Sequence, residues 1–221
     1  MKNSLIKLIK LASGDNRCKT MFLYKMPHNP HVLDVGCGNN SPKFIKSRRP
    51  DVHYTGIDVC DYNQSGTSIQ QADKYIISTP ESFSSDIAHM NSQFDIVIST
   101  HNIEHCNNPM ETIDAMCLAL KSGGCLYMAF PSEKSISFPS RQGTLNFYDD
   151  PTHRYVPEFE KIIDALKQNG MSIDFAEKQY KPFGKYVLGS IIEKIYKKRV
   201  TRFTWAYYGF ESVIWAHKEV D

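Results

Sequence analysis

The sequence predicts an α/β fold, built on a doubly wound, mostly parallel sheet of about seven strands, the last antiparallel, with helices on both faces. Three observations predict it. Strand and helix patterns alternate five times within about 100 residues. The first strand pattern ends at a Gly-x-Gly turn that precedes a helix, as in Rossmann-like sheets. The 221 residues, 41% of them hydrophobic, are enough for one sizeable core.

The first half of the chain supplies the parallel strands. Residues 1–30 are predicted to be a helical segment, because lysines interrupt the apolar residues near its start. The apolar run at 31–35 is a buried strand, and the helix after it has Ser41 as N-cap and Pro42 in its first turn. Pro109 begins a later helix that glycines close. The other strands predicted in this half are residues 52–59, 74–78, 94–100 and 125–130, and a further helix is predicted at 82–90.

The alternation stops after Phe130. Residues 131–156 are irregular, polar and aromatic, and the predicted elements after them are a helix at 157–170, a strand at 171–180, a helix at 184–199 and a strand at 210–218. We therefore expect a single domain over residues 1–221. Its cofactor-binding core is predicted at 31–130, and its substrate-side insertions or lid are predicted at 131–156 and 179–209.

Composition excludes several classes of protein. No apolar run approaches the roughly 20 residues that a membrane-spanning helix needs. The net charge of +2 gives no indication of nucleic acid as a partner. Six cysteines occur without a CxxC pair, and several lie in apolar runs, so we expect reduced thiols and a cytoplasmic location.

The turn after the first strand predicts the cofactor. Gly36 and Gly38 let a ligand approach the backbone, and the next helix offers the positive end of its dipole. Asp58 ends the second strand, where an acidic residue binds ribose hydroxyls in doubly wound folds. Asp34 would repel pyrophosphate, and no Walker lysine follows the glycines. A nucleoside with a sulfonium and an amine, S-adenosylmethionine, fits this pattern of charge.

These motifs resemble those of class I S-adenosylmethionine-dependent methyltransferases. The resemblance rests on VLDVGCG at 32–38, Asp58, FDIVIST at 94–100 and LKSGGCLYMAFPS at 120–132, and it covers roughly residues 30–130. Asn40 departs from the pattern, because relatives often have glycine there. Asparagine tolerates left-handed backbone better than most residues, so the departure leaves the resemblance intact.

The resemblance implies which residues bind the cofactor. The first carboxylate and the glycine turn would hold the methionine part, and the second carboxylate would bind the ribose hydroxyls, with the residue after it beside the adenine. The residues that follow the fourth strand would border the methionine. The implied cofactor-binding residues are Asp34, Gly36, Cys37, Gly38, Asp58, Val59, Thr100 and His101. After the third strand, Ser78, Thr79 and Glu81 are equal candidates for the adenine amine.

A second polar group follows the fourth strand. His101, Glu104 and His105 have helical spacing, and a later loop with Asp150 and His153 is expected to fold over the same edge of the sheet. Three interpretations stay open. In the first, a histidine is the general base for an acceptor hydroxyl; His101 and His153 are the main candidates, and His105 belongs to the same predicted catalytic group. In the second, the three histidines and Glu104 bind a divalent metal, a pattern similar to that of magnesium-dependent methyltransferases acting on small-RNA ends. In the third, Glu104 and His105 only cap the next helix and hold the loop.

A further resemblance concerns the acceptor. The segment DDPTHRYVPEFEKIIDALKQNGM at 149–171 resembles one in methyltransferases associated with polysaccharide biosynthesis. It implies methyl transfer to a hydroxyl of a small molecule: a sugar, a nucleotide-sugar or a glycan. The alternatives are a metal-dependent 2′-O-methyltransferase acting on RNA ends and a non-catalytic binding protein with the methyltransferase fold.

The helix predicted at 184–199 indicates a partner surface. It has an apolar stripe, and lysines and arginines crowd one end of residues 185–202, which suits a membrane surface or a lipid-linked substrate. The alternative is a helix packed on the core with a solvated basic face. The aromatic segment FTWAYYGF at 203–210 is interpreted as a homodimer interface or as the join between two antiparallel edge strands. Nucleic acid is not an expected partner.

Overall fold

A seven-stranded sheet forms the centre of the protein. The computed structural model describes residues 14–195, 197 and 199–220. The strands are β1 (His31–Val35), β2 (His53–Asp58), β3 (Lys74–Ile77), β4 (Phe94–Thr100), β5 (Leu120–Pro131), β6 (Met171–Glu177) and β7 (Glu211–Lys218). They lie in the order β3-β2-β1-β4-β5-β7-β6.

The pairing of the strands confirms the predicted fold class. The first five strands are parallel to one another, and β7 lies antiparallel between β5 and β6. The strand order reverses between β1 and β4, so the carboxyl ends of these two strands flank the crevice where ligands bind in doubly wound sheets. The functional residues predicted at strand ends therefore meet at one edge.

Helices cover both faces of the sheet. They are α1 (Lys19–Lys25), α2 (Ser41–Lys46), α3 (Gly66–Ile69), α4 (Phe83–Ala88), α5 (Pro109–Ala119), α6 (Phe159–Gln168), α7 (Phe183–Ile195) and α8 (Arg202–Tyr208). Short 3₁₀ helices occur at Ile103–His105, Glu133–Ser137 and Phe147–Asp149. Within the described residues, no helix combines the length and the apolar character that crossing a bilayer requires.

Alternating side chains along the strands create two hydrophobic cores. In β1, Leu33 and Val35 belong to one core, and Val32 belongs to the other, because successive side chains point to opposite faces of a strand. Helix α6 contributes to the first core and α1 contributes to the second. Every residue of β1 after His31 is buried, as expected for a central parallel strand covered on both faces.

One local prediction is corrected by the structure. The N-cap of α2 is Asn40, in the left-handed region with φ 56°, and Ser41 is the first helical residue. The hydroxyl of Ser41 does not cap the helix because it donates a hydrogen bond to Asp34.

The aromatic segment at 203–210 is largely helix α8, which begins at a Thr201 capping box and ends at Gly209 with φ 70°. Its part in a homodimer interface stays a prediction.

Other predictions are confirmed or fall outside the described residues. All six cysteines lie among the described residues, and no disulfide joins any two of them. Of the helical segment predicted at residues 1–30, the structure has α1, whereas residues 1–13 lie outside the part that it describes.

Candidate active site

A cavity of about 820 Å³ lies at the carboxyl ends of β1, β2 and β4. Its volume is in the range that binds a nucleoside cofactor together with part of a second ligand. One half is formed by the turns after β1 and β2. The other half is formed by the 3₁₀ helix after β4, the loop at 150–154 and α8. The predicted site residues that line it are Gly36, Gly38, Asp58, Val59, Thr100, His101, His105 and His153.

Both glycines of the turn after β1 are required because neighbouring loops come too close to the backbone of this turn to leave room for a side chain. Gly36 has φ +74°, and a Cβ atom there would lie 2.5 Å from the side chain of Asn102. At Gly38, a Cβ atom would lie 3.1 Å from the carbonyl oxygen of Tyr62. The amide of Gly36 donates to the carbonyl of Ile57 (2.9 Å), so it is not directed at a ligand. The turn therefore shapes the cavity wall through its backbone path.

Asp34 and Cys37 lie beneath this turn. The carboxylate of Asp34 is buried and accepts hydrogen bonds from Ser41 Oγ (2.5 Å) and from the hydroxyl of Tyr54 (2.7 Å). Cys37 is buried against Gly56. Neither residue is part of the cavity lining. Asp34 therefore holds the first turn of α2 through Oδ2, and Cys37 fills the space under the turn. The part of these two residues in binding the methionine of the cofactor stays a prediction.

Asp58 presents its carboxylate to the cavity at the end of β2. Its Oδ1 accepts a hydrogen bond from the amide of Val59 (2.7 Å). Burial raises the pKa of Asp58, and hydrogen bonds from backbone amides oppose that rise. Val59 is 40% exposed beside it. After β3, Ser78 donates to Asp86 (2.5 Å), whereas Glu81 lines the cavity, so Glu81 is the candidate in position to reach a ligand.

The hydroxyl of Thr100 indicates whether this half of the cavity can bind the predicted cofactor. Its hydroxyl oxygen is buried and has no hydrogen-bond partner among the residues that the structure describes. A buried hydroxyl without a partner is costly unless a ligand provides one. Together with the Asp58 carboxylate, it gives two polar groups for a ligand that carries hydroxyls and an amine. These residues fit S-adenosylmethionine.

His101 lies between two carboxylates. Its Nδ1 is 3.2 Å from Glu104 Oε1 and its Nε2 is 2.9 Å from Glu211 Oε1. Burial lowers the pKa of His101, but the hydrogen bonds and charges of Glu104 and Glu211 outweigh burial and raise it to about 10. The raised pKa favours the protonated imidazole, in which both N–H groups are donated to carboxylate oxygens. This arrangement argues against His101 as the proton acceptor, and its catalytic role stays a prediction.

The ion pairs of His101 predict a pH dependence of folding stability. The pKa is raised from 6.5 to about 10 in the folded protein, so its stabilisation is complete below about pH 6.5 and is lost as pH rises towards 10. Urea unfolding of the wild type should show falling stability across this interval. The His101→Gln variant should be less stable at pH 6.5, with a flatter dependence. Equal slopes for the two proteins would contradict this assignment.

The 3₁₀ helix after β4 is hydrogen-bonded to the loop that was predicted to fold over this edge of the sheet. The carbonyl of Glu104 accepts hydrogen bonds from the amides of Arg154 (2.8 Å) and Tyr155 (3.2 Å). The side chain of Glu104 is fully buried, and its Oε2 has no hydrogen-bond partner among the described residues. The structure therefore brings together the two sequence segments that were expected to meet, with an unpartnered carboxylate oxygen between them.

His105 and His153 complete this group, with ring centroids 4.8 Å apart. Nδ1 of His153 lies 2.6 Å from the carbonyl of Phe147, and Nδ1 of His105 lies 3.3 Å from the carbonyl of Thr152. A carbonyl oxygen only accepts, so each Nδ1 carries a proton and donates it, and in the neutral form of such a ring Nε2 holds the lone pair. Burial lowers the pKa of His153, so this imidazole is neutral at pH 7.

Some residues of the site were not predicted. Glu211 is separated from His101 by 110 positions in the sequence, and no local motif marks it. Trp205 lines the cavity, its ring centroid is 5.1 Å from that of His101, and its Nε1 donates to the carbonyl of Thr144 (2.7 Å). The cluster of aromatic residues at 203–210 was the available signal for Trp205, but it was interpreted as a homodimer interface or as the join between two antiparallel edge strands.

Comparison with known proteins agrees with this architecture. A family model described as a methyltransferase domain matches residues 8–174. The chain is 27% identical over 182 residues to a ubiquinone biosynthesis O-methyltransferase of Marinobacter nauticus, covering 75% of this chain and 74% of that protein. It is 26% identical over 180 residues to an uncharacterized protein of Methanocaldococcus jannaschii, covering 77% of this chain and only 46% of that protein.

A solved structure shows the same fold. The S-adenosylmethionine-dependent methyltransferase of Archaeoglobus fulgidus superposes with a TM-score of 0.56 at 18% identity, covering 95% of this chain and 94% of that one. The family match and this likeness confirm the predicted cofactor, S-adenosylmethionine. Because the family model matches more than half of its residues, the chain belongs to the family of methyltransferase domains.

Proposed function

We propose that this chain is an O-methyltransferase that transfers the methyl group of S-adenosylmethionine to a hydroxyl of a small molecule, with His153 as the proton acceptor. The observation that carries the proposal is one cavity that contains both the carboxylate of Asp58 and the neutral imidazole of His153. When bound, the cofactor supplies an activated methyl group on a sulfonium. The protein therefore needs mainly to align the acceptor and to remove its proton.

Cofactor binding and proton removal are assigned to side chains in different halves of the cavity. Asp58 would bind the ribose hydroxyls, and the hydroxyl of Thr100 would face the methionine part. Nε2 of His153 would take the proton of the acceptor hydroxyl as its oxygen forms the bond to carbon. The hydrogen bond from Nδ1 to the carbonyl of Phe147 holds the ring in the tautomer that this role requires.

The acceptor is proposed to be a ring that carries hydroxyl groups. Trp205 offers an aromatic face, and Asp150 and Asn107 line the same half of the cavity with hydrogen-bonding groups. This combination suits a sugar, a nucleotide-sugar or a glycan, as the sequence predicts. The similarity to a ubiquinone biosynthesis O-methyltransferase adds hydroxylated aromatic rings to the classes to be tested.

Two measurements test the proposal. Isothermal titration with S-adenosylmethionine should show binding, and its absence would favour a non-catalytic protein with this fold. Incubation with methyl-labelled cofactor and a panel of nucleotide-sugars, glycans and phenols should label an acceptor at oxygen. Label found only on nitrogen in such a panel would contradict the O-methyltransferase assignment.

A second candidate function is methyl transfer assisted by a divalent metal ion. Glu104, His105 and His153 each offer one ligand atom, and the three atoms lie within 4.8 Å of one another. In both histidines Nδ1–H faces a backbone carbonyl, as is usual for an imidazole that binds a metal ion through its other nitrogen. Two imidazoles and one carboxylate suit manganese, iron or zinc better than magnesium. An ion there would lower the pKa of an acceptor hydroxyl, so His153 would be a ligand instead of a base.

Chelation distinguishes the two candidates. With His153 as the base, turnover should be unchanged after treatment with EDTA and exhaustive dialysis. With a metal ion, turnover should fall by at least about 100-fold and return when Mn²⁺ is added, because a ligand set of three residues holds the ion that activates the acceptor. A short RNA with a free 2′-hydroxyl end should be included among the acceptors, since the metal-dependent alternative predicts that it is methylated.

A further inference from the structure

The outer face of helix α7 is apolar and exposed. Phe183 and Ile195 are 74% and 80% exposed, and Leu188 and Ile191 are each 49% exposed. With Val187, these residues form what we call the α7 stripe, because positions 183, 187, 191 and 195 follow one another at the four-residue spacing of a helix face. Exposed apolar side chains that adjoin one another on one face of a helix are typical of an interaction site.

Contacts on the inner face of α7 fix which side of the helix faces outward. Gly189 is buried, and a Cβ atom there would lie 2.2 Å from the carbonyl oxygen of Phe203 in α8. Glu193 is buried and accepts two hydrogen bonds from Arg141 (2.5 and 2.7 Å), which lies in the substrate-side segment. The small and charged residues therefore face the protein, and the large apolar ones face outward.

Positive charge surrounds one end of the stripe. Lys194, Lys197, Arg199 and Arg202 are exposed. Among the described residues, none of these four cations forms an ion pair with a carboxylate; the ion pairs of α7 are Lys185–Asp15 (2.8 Å) and Arg141–Glu193, away from the stripe. At the other end of the stripe, Phe183 lies close to Gly14.

We propose that the α7 stripe and its four cations are a docking surface for a membrane that contains anionic lipid. The charge complementarity of these cations beside exposed apolar side chains favours lipid over a second copy of this chain, because anionic headgroups would neutralise the four cations whereas an identical stripe would bring four more. Such a helix would lie in the plane of the interface with its stripe among the acyl chains.

Docking would also orient the cavity. Helix α7 packs on α8, which carries Trp205 into the cavity wall, and Arg141 ties the substrate-side segment to α7. A membrane on the α7 stripe would therefore lie beside the acceptor half of the cavity. The proposal does not depend on the identity of the reaction, since membrane binding is measured without turnover.

Vesicle sedimentation tests the proposal. The full chain should bind vesicles of phosphatidylcholine with 30% phosphatidylglycerol, and binding should weaken as salt is raised, because charge contributes to it. The double variant Ile191→Glu, Ile195→Glu should bind at least about tenfold more weakly. Its matched control, Leu118→Glu with Val220→Glu, changes two exposed apolar residues elsewhere and should bind like the wild type.

A second set of variants separates charge from apolar contact. Replacing Lys194, Lys197 and Arg199 by glutamine should weaken binding by about fivefold per residue. The proposal is overturned if the α7 double variant binds as tightly as the wild type while its thermal unfolding is unchanged. It is also overturned if the wild type does not bind these vesicles, or if it forms a dimer by analytical ultracentrifugation that the double variant abolishes. Removal of residues 1–13 should leave the effect of the double variant in place; loss of that effect would assign the surface to residues 1–13.

Discussion

His153→Ala should lower kcat by roughly 100- to 10,000-fold, the range in which a general base contributes to catalysis. The affinity for S-adenosylmethionine should be unchanged, because His153 lies in the half of the cavity opposite Asp58. Steady-state turnover with the labelled cofactor and isothermal titration give the two quantities separately. The matched control is His89→Ala, since His89 is exposed and does not line the cavity.

The pH profile adds a second readout for the same residue. Burial lowers the pKa of His153 from its ordinary value of 6.5, so kcat should reach its plateau below neutral pH and fall on the acidic side as the imidazole is protonated. The acidic limb should be absent in the His153→Gln variant. Full turnover in both His153 variants, on the true acceptor, would contradict the assignment of the base.

Asp58→Ala should lower the affinity for S-adenosylmethionine by at least about 100-fold, because hydrogen bonds to a charged carboxylate are the strongest polar contacts expected in this half of the cavity. Asp58→Asn should retain part of the affinity, since an amide oxygen still accepts a hydrogen bond from a hydroxyl. Isothermal titration measures both variants.

The control for this prediction lies in the same turn. Asp61 is exposed and is not part of the cavity lining, so Asp61→Ala should bind the cofactor like the wild type. If Asp58→Ala and Asp61→Ala bind S-adenosylmethionine equally well, the ribose is bound elsewhere. Thermal unfolding of Asp58→Ala is measured in parallel, because a loss of affinity counts only for a folded protein.

The sheet was predictable because its strands are marked by local patterns. The bounds of β1 and β4 match the predicted runs at 31–35 and 94–100, since uninterrupted apolar residues between turn residues are typical of buried parallel strands. The antiparallel β7 was also expected, as the last strand after the regular alternation of strands and helices stops. Strand ends then placed Asp58 and Thr100 at the same edge without any knowledge of the structure.

The partners of two site residues were not predictable, because they come from distant parts of the chain. Asp34 was expected to contact the ligand because it precedes the glycine turn, and its Oδ2 also accepts hydrogen bonds from Ser41 and Tyr54, which no local pattern indicates. His101 was expected to be a base because histidine titrates near neutral pH, but the lowering of its pKa by burial is outweighed by Glu104 and by Glu211 of the last strand, which raise it to about 10. Spacing along the chain predicts neighbours within a helix or strand, and it does not predict which partners a tertiary fold supplies.

The most direct test of the account is a crystal structure of the chain with S-adenosylhomocysteine. We expect the nucleoside in the cavity beside Gly38, with its ribose hydroxyls within hydrogen-bonding distance of the Asp58 carboxylate and its sulfur on the side of Thr100. An adenosine moiety bound away from Asp58, or a cavity that excludes the ligand at saturating concentration, would contradict the account.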